Sequence, residues 1–205
     1  MMDNQIRFKN AIEAIDNINL QDPNTEMYNG QSVAKEWLYS ERMTEMTFDY
    51  DENPEEALQL AARGQHVKRW SIPRTNYPAD RKGYLKWRTD LKLMHAEIVS
   101  SILQEQGYPE PTIAQVATMI KKNKLKTDSA SQNLEDIICL VFLKHYFSDF
   151  AKTKEEAKIM VILQKTWAKM SSKGQEMALT LPFEEEENHL IKKALDLSST
   201  KHYYL

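Results

Sequence analysis

The sequence is poor in cysteine, since Cys139 is the only one among 205 residues. No internal disulfide and no cysteine zinc cluster can form, which indicates a reducing compartment. Cys139 lies in the apolar run Ile137–Leu143, where a cysteine usually behaves as a small buried hydrophobe. This run is the longest in the chain and too short to span a bilayer. The opening segment MMDNQIRFKN has no apolar signal core, so a cytoplasmic protein without membrane association is expected.

Glycine and β-sheet signals are also scarce. The chain has five glycines. Its one Asn-Gly pair, Asn29-Gly30, is not flanked by alternating hydrophobic residues, so no hairpin is predicted. There is no Walker loop, no GxGxxG motif and no serine nucleophile elbow. These absences argue against the common nucleotide-binding and hydrolase folds that are built on parallel sheets.

Charge and size are ordinary for a globular protein. The formal net charge is −3, with 41% hydrophobic and 28% charged residues, which predicts no overall attraction to nucleic acid or anionic membranes. A chain of this length without a long linker fits one domain. We expect a single helical domain over residues 1–205, with a peripheral N-terminal helix and loop (1–30) and a loose tail (197–205).

Helical patterns fill the rest of the chain and predict an all-α bundle of about seven to nine helices. Ser32 is a candidate N-cap for one helix, and Asn53-Pro54 starts another that should run to about Trp70. The longest helix is predicted over Arg81–Gln106, with Asp80 as its N-cap and Gly107 after its end. Further helices are predicted at 111–122, 134–150, 154–170, 175–179 and 184–195, with Ser171 or Ser172 capping the one that follows Met170.

Two histidines lie in chemically suggestive settings. His95 falls on the apolar stripe of the long helix, so it is either a satisfied core histidine or a metal ligand or general base facing a polar pocket. His66 ends the helix that precedes the proline loop, where it could simply be a cation at a helix C-terminus. Glu97 is about 200° around the helix from His95, so one helix cannot easily aim both at the same metal.

Two carboxylates begin the most hydrophobic helix. Glu135 and Asp136 are either favourable charges near a helix N-terminus or carboxylates carried into the interior. In the second case His66, His95 and Asp136, with Glu135, would form a catalytic divalent-metal site. Glu41 and Glu45 could supply another carboxylate, although a solvated face explains them equally well.

Basic and aromatic side chains alternate between residues 68 and 92. Arginine forks beside aromatic faces suit a phosphate attached to a planar base. Arg88 lies near the apolar stripe and should have an anionic partner, either a carboxylate or a bound phosphate. The predicted substrate-binding residues are Arg74, Tyr77, Arg81, Trp87 and Arg88.

Several long strings carry a family resemblance. They are YSERM (39–43), LAARGQHVKRWSIPR (60–74), YPADRKGYLKWRTDLKLMHAE (77–97), LKTD (125–128), LEDIICLVFLKHYFSDF (134–150) and KTWAKMS (165–171). Over about residues 37–182 the sequence resembles a mainly bacterial family, domain of unknown function 4202, whose members are sometimes labelled glutamyl-tRNA synthetase-like. The resemblance implies a helical fold and no particular activity.

A fainter likeness is to the HD superfamily of metal-dependent phosphohydrolases. Their pattern is a histidine, a His-Asp pair and a distant aspartate on a helical bundle. The corresponding order here would be a residue near Glu41, then His66 and His95, then Asp136. No histidine of this chain is followed by aspartate, since His66 precedes Val67 and His95 precedes Ala96.

Three hypotheses follow. The first is a small HD-like hydrolase that uses a divalent metal on a phosphorylated or nucleotide-like metabolite. The second is a non-catalytic module that binds a nucleotide, an RNA end or a protein through the basic and aromatic face. The third is an internal polar network with a purely structural role. Substrate, metal and oligomeric state are left open by the sequence.

Overall fold

The computed structural model describes residues 2–123 and 127–195, with side chains from residue 4 onward. Ten α-helices in this part of the chain confirm the predicted all-α class. None of the described helices is long and apolar enough to cross a membrane. The helices are α1 (Met2–Asn19), α2 (Lys35–Tyr50), α3 (Glu56–Gly64), α4 (Arg81–Glu105), α5 (Glu110–Lys121), α6 (Ser129–His145), α7 (Phe147–Lys152), α8 (Glu156–Trp167), α9 (Ser172–Leu179) and α10 (Glu185–Ala194).

A short hairpin precedes α2, where the sequence analysis expected no β structure. Strands β1 (Thr25–Tyr28) and β2 (Gln31–Ala34) pair antiparallel, with Tyr28 opposite Gln31. Asn29 and Gly30 both have positive φ, 49° and 78°, as a tight hairpin turn requires. The turn residues therefore determined the structure although the flanking strands are mostly exposed and lack a regular hydrophobic alternation. Helix α2 begins at Lys35 without a side-chain cap, so the prediction that Ser32 caps it is wrong.

The predicted boundaries of the longest helix are confirmed within one residue. Asp80 accepts a hydrogen bond from the backbone N–H of Gly83, and Gly107 follows the helix with φ of 75°. By contrast, α3 ends at Gly64 rather than near Trp70. The reason is tertiary, because the next backbone groups bond to side chains of other helices. His95 Nδ1 donates a hydrogen bond to the carbonyl of Val67. The side-chain carbonyl of Asn19 accepts a hydrogen bond from the N–H of Lys68, whose φ is 57°.

The chain divides into two compact units, an N-terminal unit (1–134) and a C-terminal unit (135–205). The N-terminal core is formed by buried residues of α1 to α5, among them Ile15, Met43, Leu60, Val99 and Ile120. Helix α1, expected at the periphery, thus contributes to this core, because Ala11 and Ile15 on one of its faces are fully buried. That the whole chain is one domain stays a prediction.

The C-terminal unit is built from most of α6 and from α7 to α10. Its core includes Leu140, Phe147, Leu163 and Ile191. Cys139 is buried there, as predicted. The helix predicted over 134–150 is interrupted after His145, so that α7 follows as a separate turn. Ser171 caps α9 by accepting a hydrogen bond from the N–H of Gly174, which confirms one of the two predicted caps.

A buried arginine joins three helices of the N-terminal unit. The guanidinium of Arg63, at the end of α3, donates two 2.6 Å hydrogen bonds to the carboxylate of Asp16 on α1. It also binds Glu41 and the hydroxyl of Thr44, both on α2. The Arg63 side chain is 5% exposed, and its two carboxylates hold its pKa above the ordinary value. Because a buried guanidinium is stable only when its donors are occupied, this network fixes α1, α2 and α3 against one another.

We expect Arg63→Met to destabilise the N-terminal unit by about 3 kcal/mol, since it leaves two carboxylates without their partner. Urea denaturation followed by circular dichroism measures the change. The matched control is Lys9→Met, because Lys9 forms an exposed ion pair with Glu13 on α1 and such pairs contribute roughly 0–1 kcal/mol. Equal stability of the two variants would show that the Arg63 network does not hold the unit together.

Candidate functional site

Three side chains from different elements form the Glu36–His66–Arg69 cluster in the N-terminal unit. Glu36 is in the first turn of α2, His66 follows α3, and Arg69 begins a 3₁₀ turn (Arg69–Ser71). His66 Nδ1 lies 3.3 Å from Glu36 Oε2, and Arg69 Nε lies 3.7 Å from Glu36 Oε1. Arg69 Nη1 is 3.4 Å from His66 Nε2. Each member of the cluster therefore contacts the other two.

The His66 imidazole has a defined setting within this cluster. Its ring stacks on that of Tyr39, with centroids 4.0 Å apart and planes 14° from parallel. Because a guanidinium can only donate, the contact with Arg69 makes Nε2 the acceptor, and Nδ1 of the neutral ring then carries the proton toward Glu36. The side chain is 23% exposed, against 9% for Glu36. His66 is thus the side of the pair that solvent or a ligand reaches.

An aromatic and cationic surface adjoins the cluster. The Arg69 guanidinium lies 5.0 Å from the centroid of the Trp87 ring, whose indole N–H donates to the carbonyl of Ile72. Trp87 lies beside Tyr84, an exposed residue that also accepts a hydrogen bond from Arg88. Among the described residues no carboxylate lies within 4.0 Å of the Arg88 guanidinium. The anionic partner expected for Arg88 is therefore not a side chain of the described part of the chain.

His95 is held behind the cluster. Its Nδ1 lies 2.7 Å from the carbonyl of Val67, so this nitrogen carries the proton and donates it. Nε2 is buried and has no hydrogen-bond partner within the described ranges. The ring centroids of His95 and His66 are 5.9 Å apart. His95 lies on the inner face of α4 and Glu97 is exposed, as the helical period predicted.

Burial changes the proton affinity of all three acid–base groups. Burial raises the pKa of Glu36 to about 7, and the opposing attraction of Arg69 does not cancel this effect. Burial, helped by the charges of Arg69 and Arg88, lowers the pKa of His66 well below its ordinary value. Burial also lowers the pKa of His95 to about 3. At neutral pH both imidazoles are therefore neutral, and Glu36 is near its midpoint.

The neutral His66 ring differs from the cation that the sequence suggested at the end of α3. The idea that His66 is a cation at the end of α3 does not fit, because the neighbouring guanidiniums already supply the positive charge.

The other predicted substrate-binding residues lie elsewhere on the loop and on α4. Arg74 donates to the backbone carbonyls of Tyr77 and Pro78, so its donors are used within the loop. The Tyr77 hydroxyl donates to Asp90 at 2.7 Å. Arg81 is exposed at the start of α4. Of the five predicted residues, Trp87 and Arg88 adjoin the cluster.

The two carboxylates expected to complete a metal site are engaged within the C-terminal unit. Asp136 accepts hydrogen bonds from the backbone N–H and the hydroxyl of Ser171, which places a negative charge at the start of α9. Glu135 lies 3.5 Å from the ammonium of Lys169. Glu41, considered as another carboxylate, binds Arg63.

A divalent metal needs several suitable donor side chains around one point. In the ranges that the structure describes, no group of three or more His, Cys, Asp or Glu side chains could hold a metal ion. The donor set around His66 and His95 therefore does not fit the predicted metal, and the HD-like metal site gains no support.

The fold and the site together define an all-α protein with a buried carboxylate, histidine and arginine cluster beside an aromatic surface. A family model, domain of unknown function (DUF4202), matches residues 9–191. The chain belongs to this family. The matched region covers most of each compact unit. No curated protein and no solved structure matches the chain.

Sequence reasoning missed Glu36 and did not include Arg69 among the site residues. A signal for Glu36 was present, because it lies three and seven residues before Tyr39 and Met43 on the buried face of α2. An acidic residue on an otherwise apolar face needs a partner. Arg69 had no comparable signal, since its role depends on the course of the loop after α3.

We expect the free energy of unfolding of Glu36→Gln, relative to that of the wild type, to increase as pH rises. In the wild type the folded state binds more protons than the unfolded state between about pH 4.5 and 7, so the free energy of unfolding falls across that range and is level above it. Glutamine does not titrate. The variant should therefore gain on the order of 2–3 kcal/mol in free energy of unfolding over the wild type by pH 8. Urea denaturation at pH 5, 6, 7 and 8 measures this difference.

The matched control for this experiment is Glu97→Gln, which makes the same chemical change on an exposed side chain of α4. His95 titrates in the wild type and in both variants alike, so its contribution cancels in the differences. A constant difference between Glu36→Gln and wild type over this pH range would contradict the perturbed state of Glu36.

We expect Asp136→Ala to destabilise the C-terminal unit by roughly 1–3 kcal/mol, because the N–H and the hydroxyl of Ser171 lose their acceptor. Thermal denaturation measures the effect. The matched control is Asp149→Ala, which removes an exposed carboxylate paired with Lys152 and should have little effect. A wild-type melting temperature for Asp136→Ala would refute its structural role and revive its assignment to a metal site.

Proposed function

We propose that the N-terminal unit binds a phosphorylated, nucleotide-like ligand through the surface formed by Arg69, Arg88, Tyr84 and Trp87. The observation that carries the proposal is a shortage of negative charge. Arg69 lies 3.7 Å from the carboxylate of Glu36, which is half protonated near neutral pH, and Arg88 has no carboxylate within 4.0 Å among the described residues. Buried or half-buried guanidiniums normally have anionic partners, so a bound anion accounts for the arrangement.

The aromatic rings of Tyr84 and Trp87 favour a ligand that carries a planar base in addition to its phosphate. Tyr84 is exposed although it lies beside Trp87. A planar base can stack on such rings, and each stacked base contributes roughly 1–3 kcal/mol in single-stranded nucleic-acid complexes. A phosphate on the arginines and a base on the rings describe a nucleotide or a nucleotide-like metabolite. Action in the cytoplasm belongs to the same proposal.

Binding without metal-dependent hydrolysis is favoured over the hydrolase predicted from the sequence. A metal-dependent step needs several donor side chains around one ion, and the described residues do not provide such a group. The Glu36–His66 contact is the feature that would serve acid–base chemistry. Phosphate release from the bound ligand, measured with and without added Mn²⁺, separates the two functions, and none is expected.

We expect the protein to bind the nucleotide AMP more tightly than adenosine, with an affinity that falls as salt rises. The double variant Arg69→Gln/Arg88→Gln should lose about tenfold or more in AMP affinity, because it removes two charged donors. Isothermal titration calorimetry measures both effects, and circular dichroism verifies folding.

The control for this loss is Arg81→Gln/Lys82→Gln. It removes the same formal charge from exposed positions at the start of α4. A loss of affinity that comes only from the lower net charge would therefore be equal in the two double variants. Equal loss in the two double variants, or equal binding of AMP and adenosine by the wild type, would refute the proposed site.

A further inference from the structure

The Glu36–His66–Arg69 cluster has two protonation states that differ by one proton. When Glu36 is ionised, His66 Nδ1–H can donate to Oε2 across their 3.3 Å contact, and Oε1 faces Arg69. When Glu36 is protonated, its hydroxyl can donate to Nδ1 if the neutral ring carries its own proton on Nε2, and Nε2 then no longer accepts a hydrogen bond from Arg69. The Glu36–His66 hydrogen bond can therefore form in both states, whereas the hydrogen bond from Arg69 to His66 forms only when Glu36 is ionised.

The charge that the cluster offers to a ligand depends on that proton. Arg69 and Arg88 contribute two positive charges, and His66 and His95 are neutral. For the two guanidiniums and Glu36 alone, the sum with Glu36 ionised is one positive charge, which balances a monoanion such as a phosphate diester or a carboxylate. With Glu36 protonated the sum is two, which balances the dianion of a terminal phosphate. An anion on Arg69 also lies close to Glu36, and a second negative charge there is repelled.

We propose that the site takes a terminal, doubly charged phosphate group together with one proton, which the Glu36–His66 pair carries. This inference rests on the proposed function and narrows it to monoesters of phosphate. Glu36 is then a residue that determines specificity, because it penalises binding of the dianion whenever it is ionised. By linkage, binding of the dianion must raise the proton affinity of Glu36 by the same factor.

Charged groups face the pair from each neighbouring element. Burial is what brings Glu36 into the neutral range, so this carboxyl is the group assigned to the linkage. The other charged or titratable side chains near the pair are Asp22 before β1, Lys35 on α2, Arg69 in the loop, Arg88 and His95 on α4, and Lys122 after α5.

The experiment uses inorganic sulfate, a tetrahedral dianion that does not itself titrate between pH 6 and 8.5, with the full-length protein. For the wild type the dissociation constant of sulfate should be level below about pH 7 and should rise toward tenfold per pH unit above it. Calorimetry at pH 7 in buffers of different ionisation enthalpy should show uptake of about half a proton per sulfate. Glu36→Gln should bind sulfate equally well at all these pH values, and Glu97→Gln should follow the wild type.

A second comparison tests the ligand class. AMP carries a terminal phosphate, whereas cyclic AMP has the same base and a singly charged diester. The wild type should prefer AMP at pH 7 by about tenfold or more. A wild-type sulfate affinity that does not change with pH, absence of proton uptake, or equal affinity for AMP and cyclic AMP would overturn this inference and leave the proposed function standing. Absence of binding of sulfate and AMP at every pH would refute the proposed function itself.

Discussion

The buried guanidinium of Arg63 is the constraint on which the N-terminal unit depends. A cation with 5% of its side chain exposed is tolerated only where its donors are occupied, and these are occupied by Asp16, Glu41 and Thr44 from two other helices. Glu41 lies five residues after Glu36 on α2, and Arg63 lies three residues before His66. The same network that joins the helices therefore sets the distance between the carboxyl and the imidazole of the cluster.

The segment after α3 is stabilised by side chains rather than by its own secondary structure. Asn19 and His95 each bind one of its backbone groups, which explains why the backbone leaves the helix at Gly64 and reaches a positive φ at Lys68. Three buried polar atoms in or beside this segment have no partner in the described ranges, namely Asn19 Nδ2, Gln65 Oε1 and His95 Nε2. Buried polar atoms of this kind normally have a hydrogen-bond partner in native proteins.

Local signals in the sequence were sufficient for the helices and for part of the site. The helical period placed His95 inward, and turn chemistry identified Asp80 and Gly107. The hairpin was missed because the flanking residues were judged by hydrophobic alternation, whereas the conformations of Asn29 and Gly30 decided the turn. The role of Asp136 depends on Ser171, 35 residues further along the chain, and that of Arg69 on a loop conformation. Hydrophobic periodicity within a short segment cannot predict contacts of this kind.

Arg63 and Arg69 differ in how fully their guanidiniums are paired with negative charge. Arg63 has a full set of acceptors, whereas Arg69 shares one carboxylate, and that carboxylate binds protons near neutral pH. Well-packed apolar residues often replace a buried ion pair without loss of stability. If the cluster served the fold alone, an apolar residue at position 36 would stabilise the unit more than glutamate does above pH 7. In the function that we propose, a bound ligand would supply the negative charge that Glu36, whose burial opposes its ionisation, supplies only in part.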